Sequence, residues 1–168
     1  GNMNVTDAGT DEGGATSVRW LNDREQRSWR ALQTMQMRLE GELARQLAAD
    51  SGMSYPDYVV LVALTDRVDG RLRSFELADV LGWERSRLSH HVGRMAGRGL
   101  VAKEPCNSDR RGAYVVVTDH GRDVIEAAAP GHVEAVRRLF VDRLTTAQLD
   151  ALADAAEIVL AALDEPAE

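Results

Sequence analysis

Two clusters in this sequence carry usable chemistry, and both are built on arginine. The first lies in "ERSRLSHHVGRM", Glu84 to Met95, where Ser86, Arg87, Ser89, His90 and Arg94 bring hydroxyls, an imidazole and two guanidiniums together. The second lies in "NSDRRGAYVVVTDHG", Asn107 to Gly121, where Asp109, Arg110 and Arg111 occupy a short polar stretch ahead of a valine-rich run. A guanidinium offers a planar fork of donors that matches phosphate oxygens and the major-groove edge of guanine. Taken alone, each cluster also reads as a solvated polar surface, because basic doublets and polar helix faces are common.

Other chemistries find less support. Catalysis needs a nucleophile with a base, paired acids or a metal cluster. The one assembly of that kind, Asp119 and His120 with Cys106 upstream, is the ordinary composition of a first helical turn preceded by a lone thiol. No phosphate-cradling glycine loop and no spaced metal ligands occur, so neither an enzyme nor a cofactor is expected. A single cysteine cannot form an internal disulfide or, alone, a structural zinc site of about four ligands, which fits a reducing compartment. With no apolar run near the roughly 20 residues of a membrane span, no membrane partner is expected, and the chain is placed in the cytoplasm.

The chain has 168 residues and a formal net charge of -7. That acidity is not uniform, and binding responds to local charge. Between Arg71 and Gly112 there are nine Lys/Arg against five Asp/Glu, and the rest carries 11 basic and 22 acidic residues. Both arginine clusters fall inside the one basic segment.

The elements that hold these clusters follow from periodicity. Residues 1–17 are rich in Gly, Thr, Asp and Asn and read as a flexible leader. From Trp20 to Ala49, apolar residues recur at Trp29, Leu32, Met35, Leu39, Leu43 and Leu47, the stripe of one amphipathic helix about 45 Å long at 1.5 Å per residue. A helix of that length outreaches a domain of this size and calls for a partner chain. Ser54-x-x-Asp57 has the form of a capping box opening a second helix to Val68, stopped by Asp69-Gly70. A third helix, Ser74 to Leu81, is expected to bury Leu77, Val80 and Leu81. A fourth runs from Arg85 to Arg98, with Leu88, Val92 and Met95 toward the core, Ser86, Arg87, His90 and Arg94 opposite, and His91 partly buried.

The period then shortens to two. "LVAKEP" and "AYVVVT" form a hairpin around "CNSDRRG". Thr118 caps a helix that extends to Arg143 with a kink at Pro130-Gly131. Thr145-x-x-Gln148 is a second capping box, and Leu149, Leu152, Ala153, Ala156, Val159, Leu160 and Leu163 stripe a last helix. The fold class is mainly α with a small β-hairpin wing, an α+β arrangement in which two short helices joined by "LGWE" and followed by a hairpin have the order of a winged helix-turn-helix.

From about Trp20 to Leu163 the chain resembles the MarR family (multiple antibiotic resistance regulators). "GLVAKEPCNSDRRGAYVVVTDHG" is similar to the family's Gly-Leu-Val, Asp-x-Arg, valine-rich strand and Leu-Thr-x-x-Gly, with Val117 in place of the usual Leu. "ELADVLGWERSRLSHHVGRM" matches the preceding helix pair, with Glu84 where a Ser or Thr cap is usual. The resemblance implies one domain over residues 18–168, in which 18–53 and 119–168 form a helical dimerisation region and 54–118 the winged DNA-binding region. It implies a homodimer on double-stranded DNA, with Asp109 bracing Arg111 against the DNA backbone and Arg110 reaching from the wing toward the minor groove.

Family members often hold small aromatic or phenolic effectors between the dimer helices and the DNA-binding head. Trp20, Trp29, Met35, Met37, Tyr55 and Tyr58 suit either such a cavity or plain packing, and Trp29 and Tyr58 are the foremost candidates for ligand contact. The family's peroxide sensors keep their thiol in the first helix, which has none in this chain, so Cys106 gains no sensing role. The expected function is a sequence-specific regulator, a ligand-responsive repressor on a pseudo-palindromic operator. The alternative is a winged module that binds protein instead of DNA, for which the basic excess from Arg71 to Gly112 has no purpose.

Overall fold

The computed structural model describes residues 17–105 and 113–167. Among these, six α-helices and three short strands follow in the order α1 (Asp23–Ser51), α2 (Tyr55–Thr65), β1 (Arg71–Arg73), α3 (Ser74–Leu81), α4 (Arg85–Gly97), β2 (Val101–Glu104), β3 (Tyr114–Val117), α5 (Asp119–Leu139) and α6 (Thr146–Leu163), with a 3-10 turn at Val141–Arg143. The expected class, mainly helical with a small sheet, is the one observed. The chain divides into two units, residues 1–35 and 36–168.

In the first unit, α1 begins three residues later than its apolar stripe implies, because Asn22 and Glu25 stop it there. The Glu25 amide donates to Asn22 Oδ1 and the Asn22 amide to Glu25 Oε2, both at 2.9 Å. This reciprocal cap satisfies two of the donors left over at a helix start. Trp29 is 52% exposed in this unit, and Leu32 and Met35 are also exposed.

In the second unit, the core gathers Leu47 from the end of α1, Val60, Leu61 and Leu64 of α2, Leu77 of α3, Leu88, Val92 and Met95 of α4, and Val115 and Val117 of β3. The strands form one antiparallel sheet in the order β1-β3-β2, with Arg71 opposite Val116 and Val101 opposite Val117. β1 is an addition to the expected hairpin. Three residues are too few to display an alternation of their own, and "RLR" becomes a strand only because β3 offers it a free edge.

Other boundaries shift for local reasons. α2 ends at Thr65, where the Thr65 hydroxyl donates to the Leu61 carbonyl at 2.8 Å. In α3, Leu77 and Ala78 are buried, whereas Val80 is 65% exposed, contrary to its expected place in the core. α5 continues through Pro130 and ends at Leu139, with the 3-10 turn covering the rest of the expected span. The box at Thr145 and Gln148 is present in both halves. α6 nevertheless has no buried residue, and Leu163 is 73% exposed.

The sheet joins α5 through a Thr-x-x-Gly corner. Thr118 Oγ1 accepts from the Gly121 amide at 3.0 Å and lies 2.5 Å from the Gly99 carbonyl, to which it donates. Gly121 is required by space: a Cβ there would stand 2.2 Å from the Leu100 carbonyl oxygen, a backbone atom held by its own hydrogen bond from Thr118 N. Gly121→Ala is therefore expected to cost about 2 kcal/mol or more and to lower the melting temperature by about 5 °C. Gly97→Ala, where nothing lies within 4 Å of the new methyl, should hold or raise it. Thermal melts of the two variants check the contrast, and an unchanged Gly121→Ala melt contradicts it.

Candidate nucleic-acid interface

α4 is seated by one apolar face. Leu88, Val92 and Met95 are each no more than 1% exposed, as their spacing predicts. Ser86, Arg87, Ser89, His90 and Arg94 are all exposed. Ser89 sits on the flank toward the sheet, where it lines a cleft of about 300 Å³ with Ser74, Arg85 and Lys103. Glu84 occupies the cap position without a side-chain hydrogen bond to the helix, so the first turn of α4 keeps unpaired amide donors on its exposed end. The wing residues Asp109, Arg110 and Arg111, with Cys106, lie outside the described residues.

What the sequence does not disclose is how Arg87 and Arg94 are held. Arg87, His91 and Arg94 of α4 and Arg98 at its C-cap follow one another at spacings of four, three and four, one stripe running to the end of the helix. At its far end Arg98 makes a two-pronged contact with Asp57 of α2, Nη1 donating to Oδ2 at 2.8 Å and Nη2 to Oδ1 at 2.6 Å. Asp57 is 1% exposed and Arg98 about half exposed, so the pair has a dry end and a wet end. His91, 8% exposed, places Nε2 2.9 Å from Asp57 Oδ1, and Arg94 Nη2 donates to its Nδ1 at 3.1 Å. Trp83, in the turn before α4, meets the His91 ring edge-on at 5.6 Å and 87°. The Arg87 guanidinium lies over the Trp83 ring, 4.2 Å from its centroid.

The spacing of Ser54 and Asp57 predicts a capping box, and the structure contains half of it. Ser54 Oγ accepts from the Asp57 amide at 3.1 Å, while the carboxylate turns inward to Arg98. The only sequence signal for this is the spacing of Arg87, His91, Arg94 and Arg98, with no hint of Asp57, 41 positions before Arg98.

The ionisation states follow from these contacts. Burial pushes the Asp57 carboxyl up, but the hydrogen bonds and charge of Arg98 outweigh it and leave Asp57 below the ordinary carboxylate value. Burial pushes His91 down; Asp57 opposes this and Arg94 adds to it, and the imidazole ends below its ordinary value. His91 is thus neutral near pH 7. Because Arg94 can only donate, its contact makes Nδ1 the acceptor and puts the ring proton on Nε2, which lies 2.9 Å from Asp57 Oδ1 without meeting hydrogen-bond geometry.

At the base of the wing, the Arg71 guanidinium stacks on Tyr114 at 3.8 Å and reaches Glu104 at 3.5 Å. The effector candidates fall in different units. Trp29 belongs to the first unit, and Tyr58 of the second is half-buried with its ring 4.2 Å from His132 of α5. His132 is buried, its Nδ1 has no hydrogen-bond partner, and burial lowers its pKa. A groove of about 420 Å³ beside α2 is lined by Tyr55, Val59, Val80, Trp83 and Arg87. Among the described residues no helix is long and apolar enough to cross a membrane, and no cluster of side chains is fit to hold a metal.

Removing Arg98 strands a buried carboxylate, so Arg98→Leu is expected to destabilise by about 3 kcal/mol or more at pH 7. Asp57→Asn should cost less, because the half-exposed Arg98 can turn to water. The sign with pH distinguishes this from a packing defect. In the wild type the depressed Asp57 contributes stability above the ordinary carboxylate range near pH 4, lost as pH falls through its folded value. In Arg98→Leu burial dominates and raises the Asp57 pKa above the ordinary carboxylate value, so the gap from wild type should narrow as pH falls through that raised value. Urea unfolding at a series of pH values checks this, and a constant gap contradicts it.

Comparison with known proteins agrees with this architecture. The MarR family model matches residues 51–112. The chain is 42% identical to Sco3205 from Streptomyces coelicolor, a MarR family transcriptional regulator solved in complex with DNA, covering 88% of this chain and 96% of that one with a TM-score of 0.80. It is 38% identical to AbsC, another MarR family transcriptional regulator from Streptomyces coelicolor, over 87% and 98% of the two chains at a TM-score of 0.79. CouR from Rhodococcus jostii RHA1, solved bound to p-coumaroyl-CoA, shares the fold at 22% identity, 82% and 93% coverage and a TM-score of 0.69. No curated protein sequence matches the chain. The identity to AbsC and Sco3205 over nearly their whole lengths, on a winged frame whose α4 exposes serine, histidine and arginine, places the chain in the MarR family of transcriptional regulators, which are not enzymes.

Proposed function

We propose that this regulator is a homodimeric repressor that binds a pseudo-palindromic operator and is released by a small aromatic or phenolic effector. The observation that carries the DNA reading is the outer face of α4, where Ser86, Arg87, His90 and Arg94 are exposed above a core that fixes the helix from below. In this reading residues 54–118 bind DNA, with α4 in the major groove and Ser86, Arg87, Ser89, His90 and Arg94 at base edges and flanking phosphates. Arg110 enters the minor groove and Arg111, braced by Asp109, holds phosphate. A carboxylate-held guanidinium loses less conformational freedom on docking, and a narrow minor groove concentrates negative potential. The DNA complex of Sco3205 supports this reading.

The helical segments 18–53 and 119–168 form the dimer. Supporting this, α6 leaves Ile158, Val159, Leu160 and Leu163 exposed, and α1 leaves Trp29, Leu32, Met35 and Met37 exposed. The effector contacts Trp29 and Tyr58, and its chemical class draws support from the p-coumaroyl-CoA bound in CouR. Because these residues are on α1 and α2, the effector changes the separation of the two heads and leaves the surface of α4 uncovered.

The decisive experiment sequences the DNA fragments retained by the purified protein from a random pool. A two-fold symmetric consensus with half-sites about 10 bp apart is expected, together with a dimer by light scattering at micromolar concentration. An asymmetric or absent consensus contradicts the operator, and a folded monomer contradicts the dimer.

The two arginine groups should separate by kind of contact. Arg111→Ala is expected to weaken binding to all sequences alike and to reduce the salt dependence of log K by about one charge per subunit. Arg87→Ala should lower affinity for the selected duplex by about 1 to 3 kcal/mol more than for a mixed-sequence duplex. Titrations of both variants across a salt series decide between them, and the reverse pattern would mean that α4 and the wing are assigned to the wrong contacts.

A further inference from the structure

Arg87 and Arg94 are long side chains on an exposed face, where loss of rotamer freedom opposes any sequence-selective contact. Both are already held in the free protein. The Arg87 guanidinium lies over the Trp83 indole at 4.2 Å, Trp83 abuts the His91 ring edge-on at 5.6 Å, and His91 Nδ1 accepts from Arg94 Nη2 at 3.1 Å. The His91 ring is backed by Asp57 at 2.9 Å, and Asp57 is fixed by both arms of Arg98. These contacts form a path from the buried Asp57 carboxylate to two exposed guanidiniums.

Resting on the DNA reading above, we propose that Trp83 and His91 are positioning residues for sequence recognition, Trp83 holding Arg87 and neutral His91 holding Arg94, so that protonation of His91 loosens the reading face. The chemistry of the ring requires this dependence. Neutral His91 carries its one proton on Nε2 and presents a lone pair on Nδ1 to Arg94; protonation converts Nδ1 into a second donor and sets two cations against each other. Among the described residues, the charged groups that face His91 are Asp57 from α2, Arg94 from its own helix and Arg98 at the C-cap of that helix. Asp57 favours the protonated ring, while burial and the two arginines oppose it, so the switch lies on the acid side of the ordinary histidine range. His90, exposed on the same helix, also gains charge as pH falls, but that charge strengthens binding to every duplex. The informative quantity is therefore the ratio of affinities for the selected duplex and a mixed-sequence duplex.

Two measurements test the relay. In the free protein, NMR is expected to show the Arg87 side-chain protons shifted upfield by the indole ring and His91 in the Nε2–H form. Random-coil Arg87 shifts or an Nδ1–H tautomer overturn the proposal whatever the protein does with DNA, and this arm requires no variant to fold. In the second arm, Trp83→Met, which keeps the apolar bulk and removes the aromatic face, should lower the selected-to-mixed affinity ratio about 3- to 10-fold, with Trp83→Phe recovering part of it. Adding Trp83→Met to Arg87→Ala should then produce little further loss. His91→Asn, whose Oδ1 replaces Nδ1 as an acceptor that does not titrate, should abolish the decline of the ratio that the wild type is expected to undergo on the acid side of the ordinary histidine range. Additive effects of Trp83→Met and Arg87→Ala, or the same acid decline in His91→Asn, overturn the relay while leaving DNA recognition intact. A wild type that prefers no duplex overturns DNA recognition itself, and the relay with it.

Discussion

The structure turns on the carboxylate of Asp57. A charged group 1% exposed between two helices is destabilising by several kcal/mol unless its partner sits in good geometry. Arg98 supplies that geometry by meeting both carboxylate oxygens, and the requirement then constrains everything attached to α4. Apolar contacts through Leu88, Val92 and Met95 settle which face of α4 is buried, but they tolerate small rotations and slides. A bidentate contact does not. It ties the C-terminal end of α4 to α2, while the apolar face settles the side on which Ser86, Arg87, His90 and Arg94 project.

A second constraint acts where the sheet meets α5. β3 is the central strand, paired on both sides, and the Thr118 hydroxyl closes the chain by donating to the backbone carbonyls of Gly99 and Leu100. A side chain at Gly121 would collide with the Leu100 carbonyl, so the sheet and α5 are joined by backbone in contact with backbone. The strands leading into the wing are therefore anchored at their α5 end, and Arg71 stacked on Tyr114 adds a contact across β1 and β3.

Much of this is legible from residue order because it rests on local rules. The apolar spacing of α4, the Thr118 cap, the Thr145 and Gln148 box and the partly buried His91 each depend on neighbours within one or two turns. The features that escape depend on partners far away in sequence. β1 needs the distant β3 to become a strand. Asp57 reads as a cap because Ser54 stands three residues before it, and its true partner is Arg98. Val80 satisfies the apolar pattern of α3, yet on a helix of eight residues a narrow stripe suffices, and Leu77 and Ala78 supply it. Asp109, Arg110 and Arg111 remain readings from motif alone.

The two kinds of surface left on the chain are stabilised by different physics. The outer face of α4 is polar, and its long side chains are held by a network that ends in the core, so it can meet a charged ligand with little rearrangement. α6 is the opposite case. An isolated helix of 18 residues is only marginally stable in water, and this one is capped well at Thr145 but buries nothing. Covering its apolar side chains is worth about 1.5 to 3 kcal/mol for each large residue, which for Ile158, Val159, Leu160 and Leu163 together exceeds anything the cap contributes. The stability of α6 therefore depends on a covering surface, whereas the order of α4 is built into a single chain.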